Sequence, residues 1–191
     1  MIDKIKMVLF VLVLGTILSS ALISVNTFTT PLIERNQAVK LQKTVLSAFG
    51  YTYDIETLDD TYNQNITVVG EGDTLHYKAA NGLIAFPYKG KGFQGDITGI
   101  IAMESDIQTI SGLAILSQVE TPGLGSRIGD EPFLSQFPGQ KFSPELVYKS
   151  AGNAKADNEI DGISGATLSS KAIINILNEN FTGFNSIVEG K

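Results

Sequence analysis

The chain opens on one long apolar run. Met7 to Phe28 contains no charged residue, close to the roughly 20 apolar residues a helix needs to cross ~30 Å of hydrocarbon. Thr16, Ser19 and Ser20 interrupt the run without spoiling it, because hydroxyls bond back to helix carbonyls. The rival reading is a cleaved signal peptide. The run is longer than the usual ~7–15-residue signal core and no clean small-x-small site follows it, so the pattern predicts a retained anchor. Lys4 and Lys6 ahead of it favour a cytoplasmic N-terminus and an external domain. Next, Leu32, Arg35, Val39, Gln42, Leu46 and Phe49 recur at three-to-four spacing. This predicts an amphipathic helix with Pro31 in its first turn and Gly50 at its end, carrying the anchor outward as a stalk.

The period then changes. Residues 51–65 are polar and acidic and read as a loop. From Ile66 onward the runs ITVV, TLHYKA, GLIAFPY, DITGIIAM and ISGLAILSQVE are short, β-branched and separated by Gly, Asn and Asp turns, which predicts an antiparallel meander. A short helix is expected over Pro132 to Phe137, and a strand or helix near SPELVYKS. A final helix is expected from Leu168 to about Asn180, where Leu168, Ala172, Ile173, Ile176 and Leu177 keep helical spacing. The expected class is α+β: an N-terminal transmembrane helix, then a twisted, mainly antiparallel sheet packed by helices. The division is 1–30 for the tail and transmembrane helix, 31–50 for a juxtamembrane helix and 51–191 for an extracytoplasmic domain.

Composition removes several classes of chemistry. The 191 residues include no cysteine and a single histidine, His76. There is no disulfide framework, no thiolate metal site and no multi-histidine site within one chain. The formal net charge of -6 comes without a basic cluster, which argues against nucleic-acid binding. No acid lies between Met7 and Phe28, so this helix alone offers no ion path. Any redox chemistry has to come from a bound organic cofactor.

Two stretches are unusual. In DGISGAT, Asp161 to Thr167, two glycines loosen the backbone just before the last helix. Ser164 or Thr167 can cap that helix, and the bland reading stops there. The sharper reading is an anion site, because first-turn amides and the helix dipole favour a phosphate. Small Gly165 and Ala166 allow close approach, and Thr167 can carry a phosphoryl group. In VETPGLGSRIG, Glu120 ends an apolar strand and Thr121-Pro122-Gly123-Leu124-Gly125 forms a wrapped turn. A planar ring can lie against Leu124, although an ordinary Pro-Gly turn is the simpler account.

Taken together, the two stretches resemble a known pair. DGISGAT resembles the Asp-x-x-Ser/Thr-Gly-Ala-Thr/Ser sequence on which flavin transferases esterify FMN through its phosphate. With ETPGLG upstream and an N-terminal anchor, the chain resembles the FMN-binding subunits of the Rnf and Na+-NQR respiratory complexes, RnfG and NqrC. Its compact length and its run from Gly90 to Gly125 look more like RnfG. The resemblance implies FMN joined covalently by a phosphoester to Thr167, with Ser164, Gly165 and Ala166 lining the phosphate. It implies Glu120, Thr121, Gly123 and Leu124 flanking the isoalloxazine, and Asp161 read by the flavin transferase. Lys89 and Lys91 either approach the flavin or form a solvated turn, and His76 is structural.

The implied role is a single-pass membrane subunit relaying electrons, without catalysis of its own, in an Rnf complex. Such a complex is a ferredoxin:NAD+ oxidoreductase coupled to Na+ or H+ movement. The implied partners are the other membrane and peripheral subunits, membrane lipid and, during maturation, a flavin transferase. The alternatives are an NqrC-type subunit of a Na+-translocating NADH:quinone oxidoreductase and an anchored binding module with no redox group.

Overall fold

The structure, a computed structural model, describes residues 2–189. Met1, at the start of the expected anchor segment, and residues 190–191, at the end of the expected external domain, lie outside the described residues. The chain divides into two compact units, Met1–Lys40 and Leu41–Lys191.

Helix α1 runs unbroken over Ile2–Ala48 with Pro31 inside it. The sequence reads Pro31 as a first-turn residue of a helix that carries the anchor outward, and the structure makes anchor and stalk one helix with Pro31 in its interior. Proline cannot donate an N–H to the carbonyl one turn back. The hydroxyls around it keep to the helix: Thr27 bonds to the Ile23 carbonyl at 2.9 Å, Thr29 to Val25 at 2.9 Å and Thr30 to Asn26 at 2.7 Å. These bonds offer no competing non-helical partner for the backbone. Within the first unit, the large apolar side chains from Ile5 to Val25 are exposed. By length and composition this is a helix able to cross a membrane.

The second unit is built on a five-stranded antiparallel meander in the order β1-β2-β3-β4-β5. The strands are β1 Ile66–Val69, β2 His76–Ala79, β3 Ile84–Lys91, β4 Asp96–Met103 and β5 Ile110–Ser117, as the alternating pattern predicts. Both faces are covered. Ile97, Ile101 and Met103 of β4 join one core cluster, while Ile100 and Ala102 between them are equally buried. On the first face lies α4, Thr167–Glu189, whose Ile173, Ile174, Ile176, Leu177 and Phe184 enter the cluster. Phe184 stacks on Phe86 with centroids 4.6 Å apart. The end of α1 approaches β5 so closely that a Cβ on Gly112 would strike the Ala48 carbonyl. Val45, Leu46, Ala48 and Phe49 are buried there. The Tyr88 hydroxyl donates to the Ala114 carbonyl at 3.3 Å across the bare face of Gly99, and complete burial pushes its pKa far up.

One element departs from the sequence reading, and the structure narrows others. Residues expected as loop form helix α2, Leu58–Asn65. Its one buried side chain is Leu58, so there is no apolar period to detect. The short helix is α3, Glu131–Leu134. The ambiguous SPELVYKS segment contains β6, Val147–Lys149, which pairs in parallel with β7, Glu159–Asp161. At three residues each, these strands are too short for a period to show. Asn178 of α4 clamps the entry to β6 through paired 2.9 Å bonds to the Leu146 backbone.

Candidate functional site

The DGISGAT turn joins β7 to α4. Gly165 holds φ +84°, a conformation that costs a side-chain-bearing residue energy and glycine little. Helix α4 begins at Thr167, which makes Ala166 the residue flanking the first turn. The expected hydroxyl cap is therefore displaced. Ala166 has no side-chain acceptor, and among the described residues no side chain accepts from the amides of Thr167, Leu168 or Ser169. The first intrahelical bond runs from Ser170 N to the Ala166 carbonyl at 2.9 Å. The first-turn amides and the positive end of the α4 dipole lie beside an exposed Thr167.

A residue that the motif does not highlight shapes the turn. Ser170, completely buried, accepts from the Ile163 N–H at 3.1 Å and donates to the Ala166 carbonyl at 2.9 Å. Asp161 points the other way. Its Oδ1 accepts from the Asn153 and Ala154 amides, both at 2.9 Å. Gln136 grips its backbone on both sides, at 2.9 and 3.2 Å.

The ETPGLG loop follows β5 and reaches this same turn. Glu120 is only 4% exposed, and its carboxylate bridges two other segments. Oε2 accepts from the Ser169 hydroxyl at 2.6 Å, and Oε1 accepts from the Gln94 N–H at 3.0 Å. Gly92 and Gly125 leave room for it: a Cβ on either would lie 2.5 Å from Glu120 Oε1 or Ser169 Oγ respectively. Leu124 is half exposed, and its Cδ2 would stand 3.8 Å from a Cβ on Gly165. Thr121 receives the backbone N–H of Leu124 at 3.2 Å and of Ser126 at 3.1 Å, which closes the loop. The Gly123 N–H donates to Ser126 Oγ at 3.0 Å.

The structure thus brings the Ser164–Thr167 turn and the start of α4 together with Leu124 and Glu120, which lie 40 or more residues earlier. Thr121 and Gly123 shape the loop from its exposed side. Lys89 and Lys91 sit at the β3–β4 hairpin, highly exposed, and both pair with Asp96. His76 is 8% exposed, with Nδ1 2.9 Å from the Thr74 carbonyl and its ring near Phe86, a structural placement.

Two cations went unremarked in the sequence. Arg127 Nη1 reaches the Ser164 carbonyl at 3.5 Å. It lines a cleft of about 280 Å³ that also includes Asp130, Gly162, Ile163 and Ser164. Lys171 lies over the Tyr148 ring at 5.0 Å, four residues after Thr167 and hence on the same helical face. The i+4 spacing was a usable signal for Lys171. Nothing in the sequence pairs Glu120 with Ser169.

Comparison with known proteins matches residues 92–181 to the FMN-binding domain family. That span contains both loops and Thr167. Over 97 residues the chain is 34% identical to the C subunit of the Na(+)-translocating NADH-quinone reductase of Pasteurella multocida, covering 48% of this chain and 37% of that one. Over 98 residues it is 36% identical to the protein of the same name from Neisseria meningitidis serogroup A, covering 48% and 38%. The chain thus spans under two fifths of the length of these curated relatives. The crystal structure of the protein of that name from Parabacteroides distasonis has a TM-score of 0.71 at 24% identity, covering 82% of this chain and 95% of that one. Shewanella oneidensis NqrC gives 0.68 at 19%, covering 81% and 99%. The two structures share this fold. The matched family is described as an FMN-binding domain, and the relatives bear the NqrC name.

Proposed function

We propose that this chain is a membrane-anchored flavoprotein subunit of a respiratory oxidoreductase complex, with FMN esterified to Thr167. The observation that carries the proposal is the exposed Thr167 at the start of α4, beside the first-turn amides and two residues after Gly165, which Leu124 of a separate loop approaches, inside the FMN-binding match. The residues suit a phosphoester. Gly165 and Ala166 present little bulk, Ser164 flanks the turn, and Arg127 and Lys171 supply positive charge nearby.

Attachment forms the bond from Thr167 Oγ to phosphorus. It would break the phosphoanhydride of an activated flavin dinucleotide brought by the transferase, releasing the other nucleoside as its monophosphate, and the hydroxyl proton would pass to a base of that enzyme. Once bound, FMN supplies one-electron transfer. The chain then holds the phosphate, presents Leu124 and the backbone around Thr121 and Gly123 to the ring, and excludes water from one side. Glu120 acts from beneath as a positioning residue. Asp161 orders the turn ahead of Ser164 and is read by the transferase. Helix α1 anchors the chain with its N-terminus in the cytoplasm and the flavin domain outside, docked on lipid and on the other subunits.

The relatives' name favours a Na+-translocating NADH:quinone oxidoreductase. The sequence run from Gly90 to Gly125 keeps an Rnf-type ferredoxin:NAD+ complex as the second reading. Reconstitution with quinone or with ferredoxin separates them.

Intact mass of the chain made with and without a flavin transferase tests attachment. The expected gain is FMN less one water. Thr167→Ala removes the gain while leaving the melting temperature within what ~0.5 kcal/mol allows, because the side chain is exposed; Thr167→Ser retains it. A gain that survives Thr167→Ala places the bond elsewhere, and no gain in the parent chain leaves the non-redox module.

A further inference from the structure

Among the described residues, Glu120 is the only Asp, Glu, Lys or Arg that is buried. Both of its carboxylate oxygens accept, Oε2 from the Ser169 hydroxyl and Oε1 from the Gln94 N–H, which is the bonding an ionised carboxylate offers. Neither donor carries a charge. The ion pairs of the described residues join Lys89 and Lys91 to Asp96, Lys141 to Asp157 and Lys149 to Glu159, and none of them involves Glu120. Burying a carboxylate without a cation is costly. The two contacts do not demand that cost, because a glutamine makes both. Packing and hydrogen bonding therefore leave the charge itself without a role.

The charge is placed where it can act on a group carried by Thr167. Its hydroxyl partner, Ser169, is two residues after Thr167 and is itself buried. A Cβ on buried Gly125 would lie 2.9 Å from Oε2, and one on Gly92 2.5 Å from Oε1. The chain thus packs closely on both oxygens and leaves little water to screen them. Arg127 and Lys171, the cations near Thr167, are exposed, and solvent weakens what they contribute. With an effective dielectric of about 20, one unit charge alters an electron-transfer equilibrium tenfold from ~12 Å, so contact with the redox group is not required.

We propose that the buried charge of Glu120 holds down the reduction potential of a flavin carried on Thr167. This rests on the covalent-flavin reading above. The flavin takes each electron from a one-electron donor, which is oxidised by one electron in turn. An electron that arrives without a proton adds one negative charge in the field of a fixed one. The repulsion favours the oxidised flavin and makes the reduced flavin a stronger donor to the next carrier. Glu120 acts through space, from within the fold.

The test uses the full chain in detergent, produced with a flavin transferase, as parent, Glu120→Gln, Glu120→Asp and Glu56→Gln. Glu56 is exposed ahead of α2 and loses the same charge in water. Intact mass reports the adduct and circular dichroism the fold. Titration with dithionite and one-electron mediator dyes at one neutral pH, in low and high salt, reports the potential. The expected result is a potential raised in Glu120→Gln by a tenfold shift of the equilibrium, roughly 59 mV per electron, and kept in high salt because the charge is buried. Glu120→Asp retains the charge and the parent potential, and Glu56→Gln does not differ from the parent. An unchanged potential in Glu120→Gln overturns the proposal. So does an equal shift in Glu120→Asp, which marks geometry rather than charge, or in Glu56→Gln, which marks the net charge of the whole chain. A Glu120→Gln chain that does not fold overturns it as well, because the charge then serves the fold. A parent chain without an adduct overturns the covalent reading itself and leaves Glu120 a structural carboxylate.

Discussion

Glu120 shows how much one buried side chain organises. It accepts from a hydroxyl on α4 and an amide in the β3–β4 turn, so its substitutions separate charge from geometry. Glu120→Gln keeps both contacts, because the amide oxygen accepts from Gln94 N–H and the amide nitrogen donates to Ser169 Oγ. Glu120→Ala leaves both partners unsatisfied, at about 1–3 kcal/mol for each buried group. Thermal melts should place Gln near the parent and Ala well below it, and a Gln variant as unstable as Ala rejects the positioning role. Asp161 divides the same way. Both amides use Oδ1 alone, so Asp161→Asn preserves the turn while removing the charge. Asp161→Asn is expected to melt like the parent and to acquire less flavin from the transferase in a timed mass measurement. Full-rate attachment would leave Asp161 a purely structural role.

At the scale of elements, the sheet depends on close approaches that only glycine permits. Gly112 lies where α1 meets β5, and the opposing atom is a backbone carbonyl rather than a flexible side-chain tip. Gly112→Ala therefore has to displace the end of α1. It should cost about 1–3 kcal/mol by chemical denaturation, with no change in the adduct proposed for Thr167. A neutral substitution would show that this contact gives way easily. The meander was legible in the sequence because each strand from Ile66 to Ser117 alternates or runs apolar between turn residues. Helix α2 was not, because a helix burying only Leu58 has no stripe to read. The β6–β7 pair was equally hidden, since parallel pairing joins Val147 and Glu159 across an intervening loop.

For the whole molecule, charge and anchoring set the conditions under which it holds together. Hydrogen bonds from Thr109 and Gln108 hold the Asp106 pKa below its ordinary 3.8. Lys91 does the same for Asp96 and Lys149 for Glu159. A carboxylate whose pKa is lowered by folding stabilises the fold above its unfolded pKa. That contribution disappears as pH falls through the folded value. Melting temperature should therefore be flat from about pH 5 to 7 and fall below about pH 4. Asp106→Asn should blunt that acid loss, and a transition centred near neutrality would contradict this assignment. The division at Lys40 and Leu41 makes a second prediction. A chain beginning at Leu41 should leave the membrane fraction, keep its circular dichroism per domain residue and still accept flavin on Thr167.

The sequence by itself determined the apolar span, the five-stranded meander, the amphipathic last helix and the two short stretches that carry the proposed chemistry. All of these are local, written in hydrophobic period, turn residues or a contiguous motif. Only the tertiary structure decided that Ala166, rather than a hydroxyl residue, precedes the first turn of α4, leaving that turn without a side-chain cap. Only folding brought Glu120 to Ser169, Leu124 to Gly165 and Arg127 to Ser164. Those contacts join residues some 37 to 49 positions apart, and no periodicity records which distant segments will meet. That choice belongs to tertiary packing such as that of α4 on β3, where Gly90 and Ile176 fit against each other.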